Sequence, residues 1–205
     1  MRRKTRVGYA LTGILALILI GAASFGAVWA WNAHTATQDN QLESRTVSAT
    51  IQEEFPDKTV TAGDTKTKSV TVKNTGTAAA FVRVCVAEYW TTATEQLIGE
   101  TGVTKNWASA WRDDFEFHDH DGWYYYKKVL PAGKSVQVLD SVTFPANVPD
   151  GASYHLDFQV ETVQVSSDNA VNKNATKTLF GRTGTVGGMT TLHGAVTGGD
   201  VTWTD

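Results

Sequence analysis

The clearest structural pattern in the sequence is Tyr154-His155-Leu156-Asp157-Phe158-Gln159-Val160-Glu161-Thr162. Apolar and β-branched side chains alternate there with polar or charged ones, which is the period of a β-strand with one buried and one hydrated face. We therefore predict a strand over residues 154–162. Its solvated face should carry His155, Asp157, Gln159 and Glu161.

Similar but shorter patterns precede this strand. They predict strands at residues 46–51, 69–73, 80–87 and 135–144, and a further strand that begins at Trp123. Gly, Pro, Asn and Asp separate these stretches and are typical of turns. No long amphipathic helix is evident after residue 30. The pattern predicts an all-β fold, specifically an antiparallel β-sandwich of the Ig-like or jelly-roll-like kind.

The first thirty residues have the pattern of an export signal. Four basic residues occur among residues 2–6, and residues 7–30 carry no charged side chain. A basic head, an apolar stretch and small residues at the exit characterise a secretory signal peptide. Val28 and Ala30 supply small side chains at the −3 and −1 positions, so we predict cleavage between Ala30 and Trp31. The alternative is an uncleaved helical anchor, since the apolar stretch is long enough to span a bilayer.

These patterns divide the chain into four parts. Residues 1–30 form the signal peptide, which precedes the fold as a helix, and residues 31–45 form a polar, mobile leader. Residues 46–165 form the β-sandwich domain, and residues 166–205 form a Gly/Thr-rich C-terminal extension. The extension is either a loose tail or a set of short strands at a sheet edge. Its Val201-Thr202-Trp203 segment is apolar enough to dock.

Charge and cysteine content exclude some classes of protein. Cleavage would remove four of the 18 Lys and Arg residues and none of the 21 Asp and Glu, which takes the formal charge from −3 to −7. An acidic surface does not favour nucleic acid. Cys85 is the one cysteine, so no intramolecular disulfide can form, and its strand-like surroundings indicate a buried, apolar role. Such an acidic surface suits a soluble extracellular protein.

Several motifs, in this order and spacing, resemble a known family. They are the exit at residues 27–32, Ile51-Gln52-Glu53-Glu54-Phe55-Pro56, the segment 68–77, Phe81-Val82-Arg83-Val84 and the aromatic segment 121–133. Over residues 1–165 the chain resembles the BsaA/TasA-like, camelysin-related biofilm matrix proteins of Gram-positive bacteria, which a SipW-type signal peptidase processes.

This resemblance implies a structural role without enzymatic activity. It implies a secreted β-sandwich subunit that assembles with itself, and with other matrix proteins, into extracellular fibres. In such fibres the mature N-terminal segment adds a strand to the neighbouring subunit, and residues 31–45 are the candidate donor here. The membrane would be a partner only before cleavage, while the signal peptidase acts.

One cluster has the chemistry of a metal site. His118, Asp119, His120 and Asp121 combine imidazole and carboxylate ligands, and the two histidines would share a face in an extended segment. The leading interpretation is a solvated acidic loop, which predicts no metal, no cofactor and no catalytic residue. No His-Glu-x-x-His or Gly-x-Ser-x-Gly motif is present. A camelysin-like metal-dependent hydrolase remains an alternative.

The tryptophans raise a third possibility. Trp90, Trp107, Trp111 and Trp123 could form a carbohydrate platform, as in a surface-anchored adhesive or carbohydrate-binding module. The spacing of Trp107 and Trp111 would place both on one face of a short helix. Packing in the core and at its rim is the interpretation we prefer for all four.

Overall fold

The computed structural model describes residues 46–55, 60–98 and 102–205. The strands there are β1 (Ala49–Glu54), β2 (Thr65–Asn74), β3 (Ala80–Thr91), β4 (Leu97–Ile98), β5 (Thr104–Trp107), β6 (Phe115–His118), β7 (Trp123–Tyr126), β8 (Ser135–Thr143), β9 (Ser153–Gln164), β10 (Thr183–Leu192) and β11 (Ala195–Thr204). The helices are α1 (Ser109–Asp114) and α2 (Asn169–Phe180). The predicted signal peptide, the Ala30–Trp31 cleavage site and the leader lie outside the described residues.

Strands predominate among the described residues, and every strand pair there is antiparallel, so the predicted all-β class is confirmed. One sheet has the order β1-β2-β8-β5. In the second sheet β3 pairs with β9 along its whole length on one side, and with β4 and β7 on the other, while β6 follows β7. Strands β10 and β11 form a separate hairpin. The strand predictions at 69–73, 80–87, 135–144 and 154–162 each fall largely within an observed strand.

The main core takes side chains from both sheets. Val70 and Val72 of β2 belong to the same apolar cluster as Val82 and Val84 of β3, and all four are fully buried. Even spacing places these valines on one face of each strand, as the sequence predicts. Burial of apolar side chains of this kind is the dominant favourable contribution to folding.

A second core lies on the opposite face of β3. Phe81 is fully buried there and packs with Tyr125, Phe180 and Trp203. Because α2 and the hairpin cover this face, the prediction of a wholly solvated outer face for β9 is wrong at its C-terminal end. Glu161 is half-buried, and Val163 on the same face is 4% exposed.

The C-terminal extension is a folded part of the unit Arg45–Asp205. The docking predicted for Val201-Thr202-Trp203 is confirmed, because Val201 and Trp203 are buried and the Trp203 indole N–H donates to the Tyr126 carbonyl at 3.0 Å. Backbone hydrogen bonds from Val129 to Gly199 and from Val201 to Lys127 attach β11 to the chain that follows β7. The extension therefore covers the second sheet with a helix and a hairpin.

Helix α2 is the element that the strand patterns do not predict. Its N-cap is Asp168, whose carboxylate accepts from the Ala170 amide at 2.7 Å, and Gly181 ends it in the left-handed conformation. These are ordinary start and stop signals. Its buried face includes the polar Asn172 and Thr176, so the apolar period of a helix is weak. In the described residues no helix is long and apolar enough to cross a membrane.

Candidate functional site

The turn between β6 and β7 lies at a cleft of about 410 Å³. The lining includes His118, which ends β6, His120 and Asp121 in the turn, and Asp205, which directly follows β11. The segment 180–182, where α2 gives way to β10, supplies the remaining lining residues. Four of the seven lining residues belong to the C-terminal extension, so the cleft exists only because the extension folds back onto the second sheet.

The four candidate metal ligands do not point to one centre. Nδ1 of His118 is buried and lies 3.0 Å from Asp121 Oδ1, in a close but non-linear approach. Nε2 of His118 lies 3.1 Å from Asp205 Oδ1. His120 and Asp119 are exposed and contact each other through Nδ1 and Oδ1 at 2.9 Å. As these side chains stand, the described residues contain no group of three or more His, Cys, Asp or Glu that could hold a metal ion.

Asp121 turns inward instead. Its carboxylate accepts from the Trp123 amide at 3.0 Å and from the Tyr125 hydroxyl at 2.5 Å. Burial alone would raise the pKa of Asp121, but these two hydrogen bonds and the nearby His118 outweigh it and lower the pKa below the ordinary value. Burial, together with the hydrogen bond to Asp121, raises the pKa of Tyr125 to about 12, although Arg83 opposes the shift.

Arg83 connects this cluster to the rest of the second sheet. Nε and Nη2 donate to Glu161 Oε2 at 2.9 and 2.6 Å, while Nη1 donates to Tyr125 Oη at 3.1 Å and to the Phe180 carbonyl at 2.9 Å. The guanidinium centre lies 4.3 Å from the Trp123 ring centroid. Burial lowers the pKa of Arg83, but the hydrogen bonds to Glu161 and Tyr125 overcome this and raise it. Its side chain therefore joins strands β3, β7 and β9 to the end of α2.

Arg182, which lines the cleft, also joins separate elements through its hydrogen bonds. It is 7% exposed, and it donates to Glu116 Oε1 and to Asp205 Oδ1, both at 3.0 Å. Burial acts to raise the pKa of Asp205, but the charges of Arg182 and His118 outweigh it and lower the pKa. The sequence patterns do not single out Arg182 or Asp205, because each meets its partners only through the fold of residues 166–205.

The tryptophans do not form an exposed platform. Trp90 and Trp111 are buried, and Trp107 and Trp123 are half-buried. Trp107 stacks on Trp111 with ring centroids 5.0 Å apart, although only Trp111 lies in α1 and Trp107 ends β5. The packing interpretation is confirmed for these four residues. Cys85 is half-buried rather than fully buried, and it is a free thiol.

The edges of the two sheets differ in length. Strand β9 has twelve residues and pairs with β3 on one side. The six residues of β1 pair with β2, and β5, β6 and β4 are shorter still. A second cleft, of about 640 Å³, lies beside the N-terminal half of β9 and has the buried Phe144 and Leu156 among its lining residues.

Comparison with known proteins leaves the family open. No protein-family model, no curated protein and no solved structure matches the chain. Membership of the BsaA/TasA-like group therefore stays a prediction made from the motifs of the sequence.

Proposed function

We propose that this chain is an exported structural protein that assembles with copies of itself into extracellular fibres. We further propose that its two larger sheets face each other as a β-sandwich. The shared core supports the sandwich, because β2 and β8 of one sheet and β3 and β9 of the other contribute to one apolar cluster. No enzymatic activity is part of the proposal.

The observation that carries the proposal is the long edge formed by β9. In an antiparallel pair about half of a strand's residues direct their N–H and C=O groups away from the partner. Natural edges are usually short or blocked by Lys or Pro. Strand β9 runs for twelve residues with neither of these. Such an edge can accept a further strand from another chain.

The proposed donor is the segment 31–45 of a neighbouring copy. It lies directly before the first described residue, and fifteen extended residues would span about 50 Å, which is enough to follow β9. The cleft beside the N-terminal half of β9 has room for side chains of an added strand, and the buried Phe144 and Leu156 lie beneath it. If each subunit donates its strand to the next, the contacts between subunits are head-to-tail and do not form a closed ring. Such contacts produce a filament rather than a dimer.

Electron microscopy and size-exclusion chromatography of the secreted chain test the proposal. Deletion of residues 31–45 should leave a folded monomer that does not extend fibres. Gln159→Lys, on the exposed face of β9, should also weaken assembly, because an edge lysine opposes strand addition. Thr202→Lys, at an exposed position of β11, is the matched control and should assemble normally. Full assembly of the deletion variant and of Gln159→Lys would contradict this role for β9.

A further inference from the structure

We propose that His118 is a pH-sensitive clasp that holds the C-terminal extension against the second sheet. The protonated imidazole bonds to Asp121 in the β6–β7 turn and to Asp205, which directly follows β11. When the imidazole loses a proton, one of these two bonds is lost and the extension is held less firmly. The clasp does not depend on fibre formation, since all of its residues belong to one copy.

Both ring nitrogens of His118 face carboxylates. Nδ1 lies 3.0 Å from Asp121 Oδ1, and Nε2 lies 3.1 Å from Asp205 Oδ1. A neutral imidazole carries one N–H, so it donates to one carboxylate while its other nitrogen directs a lone pair at the second. Only the imidazolium has a proton on each nitrogen. A position between two carboxylates therefore suits the protonated form.

Burial increases the effect of the proton on Nδ1. The His118 side chain is 15% exposed and Nδ1 itself is buried, so water does not replace Asp121 beside it. The approach of Nδ1 to Asp121 is close but not linear. Protonation adds an attraction between opposite charges, which does not require a linear bond and is strong where water is excluded.

Other charged or titratable groups surround the clasp, and they come from every element packed against it. They are Glu116 of β6, Asp119 and His120 of the turn, Tyr125 of β7, Arg182 between α2 and β10, and Arg83 of β3 with its partner Glu161. Arg182 is shared between Glu116 and Asp205, and Arg83 is paired with Glu161. His120 is 79% exposed, so water screens its charge. The buried part of the site thus holds more carboxylates than guanidinium groups, and an imidazolium offsets part of this excess.

The two carboxyl groups stay ionised over the range in which a histidine titrates. Burial acts to raise the pKa of each, but the hydrogen bonds to Asp121 and the charge of Arg182 beside Asp205 outweigh it and lower both pKa values. Between about pH 5 and pH 8 the imidazole is therefore the part of the clasp that changes charge. The stabilisation is present at the acid end of this range and is lost as the pH rises.

The bond to Asp205 is the one that reaches the extension. The hydrogen bond from Arg182 to Asp205 lies within the extension, whereas His118 belongs to β6 and reaches Asp205 from the second sheet. Val201 and Trp203 of β11 are buried in the second core whether or not His118 is charged. Loss of the proton should therefore make local opening of β11 more frequent without unfolding the protein.

Long-range ¹H–¹⁵N NMR of the imidazole rings tests the protonation step. We expect His118 to carry protons on both nitrogens at pH 5 and on one at pH 8. Hydrogen exchange, corrected for its intrinsic dependence on pH, tests the effect on the fold. Protection of the β11 amides should be about fivefold lower at pH 8 than at pH 5, which is the effect of one partly exposed charge pair.

His118→Gln cannot gain the second proton, so its β11 amides should be protected equally at both pH values. Asp205→Asn removes one partner at a side chain that is 73% exposed, so this variant should fold normally and lose most of the pH dependence. His155→Gln is the matched control and should behave as the unmodified protein, because this histidine contacts Thr91 and does not line the cleft.

The proposal is overturned if His118 has the same protonation at pH 5 and pH 8, or if Asp205→Asn keeps the full pH dependence of exchange. It is also overturned if His118→Gln folds and keeps that dependence. If His118→Gln does not fold, the NMR titration and Asp205→Asn decide. Fibre assembly is scored separately, so failure of either proposal leaves the other intact.

Discussion

Arg83 and Phe180 meet through two different contacts. The Arg83 guanidinium lies 4.5 Å from the Phe180 ring centroid, and its Nη1 donates to the Phe180 backbone carbonyl at 2.9 Å. Phe180 is the last residue of α2, where carbonyls have no partner within the helix. The Arg83 side chain, from the N-terminal part of β3, therefore caps the helix and fixes it to the second sheet.

Replacing Arg83 should loosen the C-terminal extension. Arg83→Ala removes the partner of Glu161, the cap of α2 and the contact with Trp123, so we expect a loss of about 3 kcal/mol in the free energy of unfolding. This is the low end for breaking a buried pair, since Glu161 keeps access to water. Arg112→Ala, at an exposed site in α1, should cost about 0.5 kcal/mol or less. Equal losses in denaturant unfolding would contradict the role of Arg83.

Substitutions at different positions of β9 should lower the free energy of unfolding by different amounts. Leu156 is 3% exposed, so Leu156→Ala should lower the free energy of unfolding by about 2–5 kcal/mol. Phe158 is only half-buried, against the edge of Trp107, and Phe158→Ala should cost less than about 3 kcal/mol. Gln159→Ala, on the exposed face, should cost about 0.5 kcal/mol or less. Urea unfolding of the three variants checks this order, and a large loss at Gln159 would show that both faces are buried.

Gly184 should tolerate no side chain. A Cβ there would lie 2.7 Å from Cζ3 of Trp203, whose ring is buried in the second core. Gly184→Ala should therefore cost about 1–3 kcal/mol through overpacking. At Gly187, on the same strand, the nearest atom to an added Cβ is 3.9 Å away, so Gly187→Ala is the control. The melting temperatures of the two variants give the comparison, and an unchanged value for Gly184→Ala would show that Trp203 can move.

Acid should weaken the cluster around Asp121. The folded protein lowers the pKa of this carboxyl, while in the unfolded chain it is near 3.9. The stabilisation is therefore fully present above about pH 4 and is lost as the pH falls through the folded value. The free energy of unfolding of the unmodified protein should decline more steeply below pH about 4 than that of Asp121→Asn. Parallel curves would show that Asp121 contributes nothing to the acid dependence.

Export should leave Trp31 as the N-terminal residue. The small side chain of Ala30 at the −1 position, after a long apolar stretch, is the reason for this prediction. Mass spectrometry of protein recovered from the medium measures the terminus directly. An intact chain that begins at Met1 and stays in the membrane fraction would favour the surface-anchored alternative over a fibre subunit.

The longer strands of the two sheets, and their buried faces, could be predicted from their local pattern. A period of two residues is local information, since neighbouring side chains of an extended chain point in opposite directions whatever the strand pairs with. For that reason Val82 and Val84, or Leu156 and Thr162, could be assigned to common faces before any partner was known. Val201 and Trp203 could be expected to dock because they are apolar.

What packs against those faces depends on the tertiary fold and could not be predicted from the local pattern. Glu161 looks like a solvated residue in the alternating pattern, but the fold brings Arg83 to within 2.6 Å of it and places α2 and the hairpin nearby. The buried face of α2 uses Asn172, which exchanges hydrogen bonds with the backbone of Ser166 and so can be buried without an apolar side chain.

The dependence on the tertiary fold also explains why the lining residues of the 410 Å³ cleft could be predicted only in part. The histidines and aspartates of residues 118–121 are neighbours in sequence and could be named as candidates from it. Asp205 and Arg182 join them across more than sixty residues. Contacts of that separation depend on chain reversal and strand pairing, which no local pattern encodes.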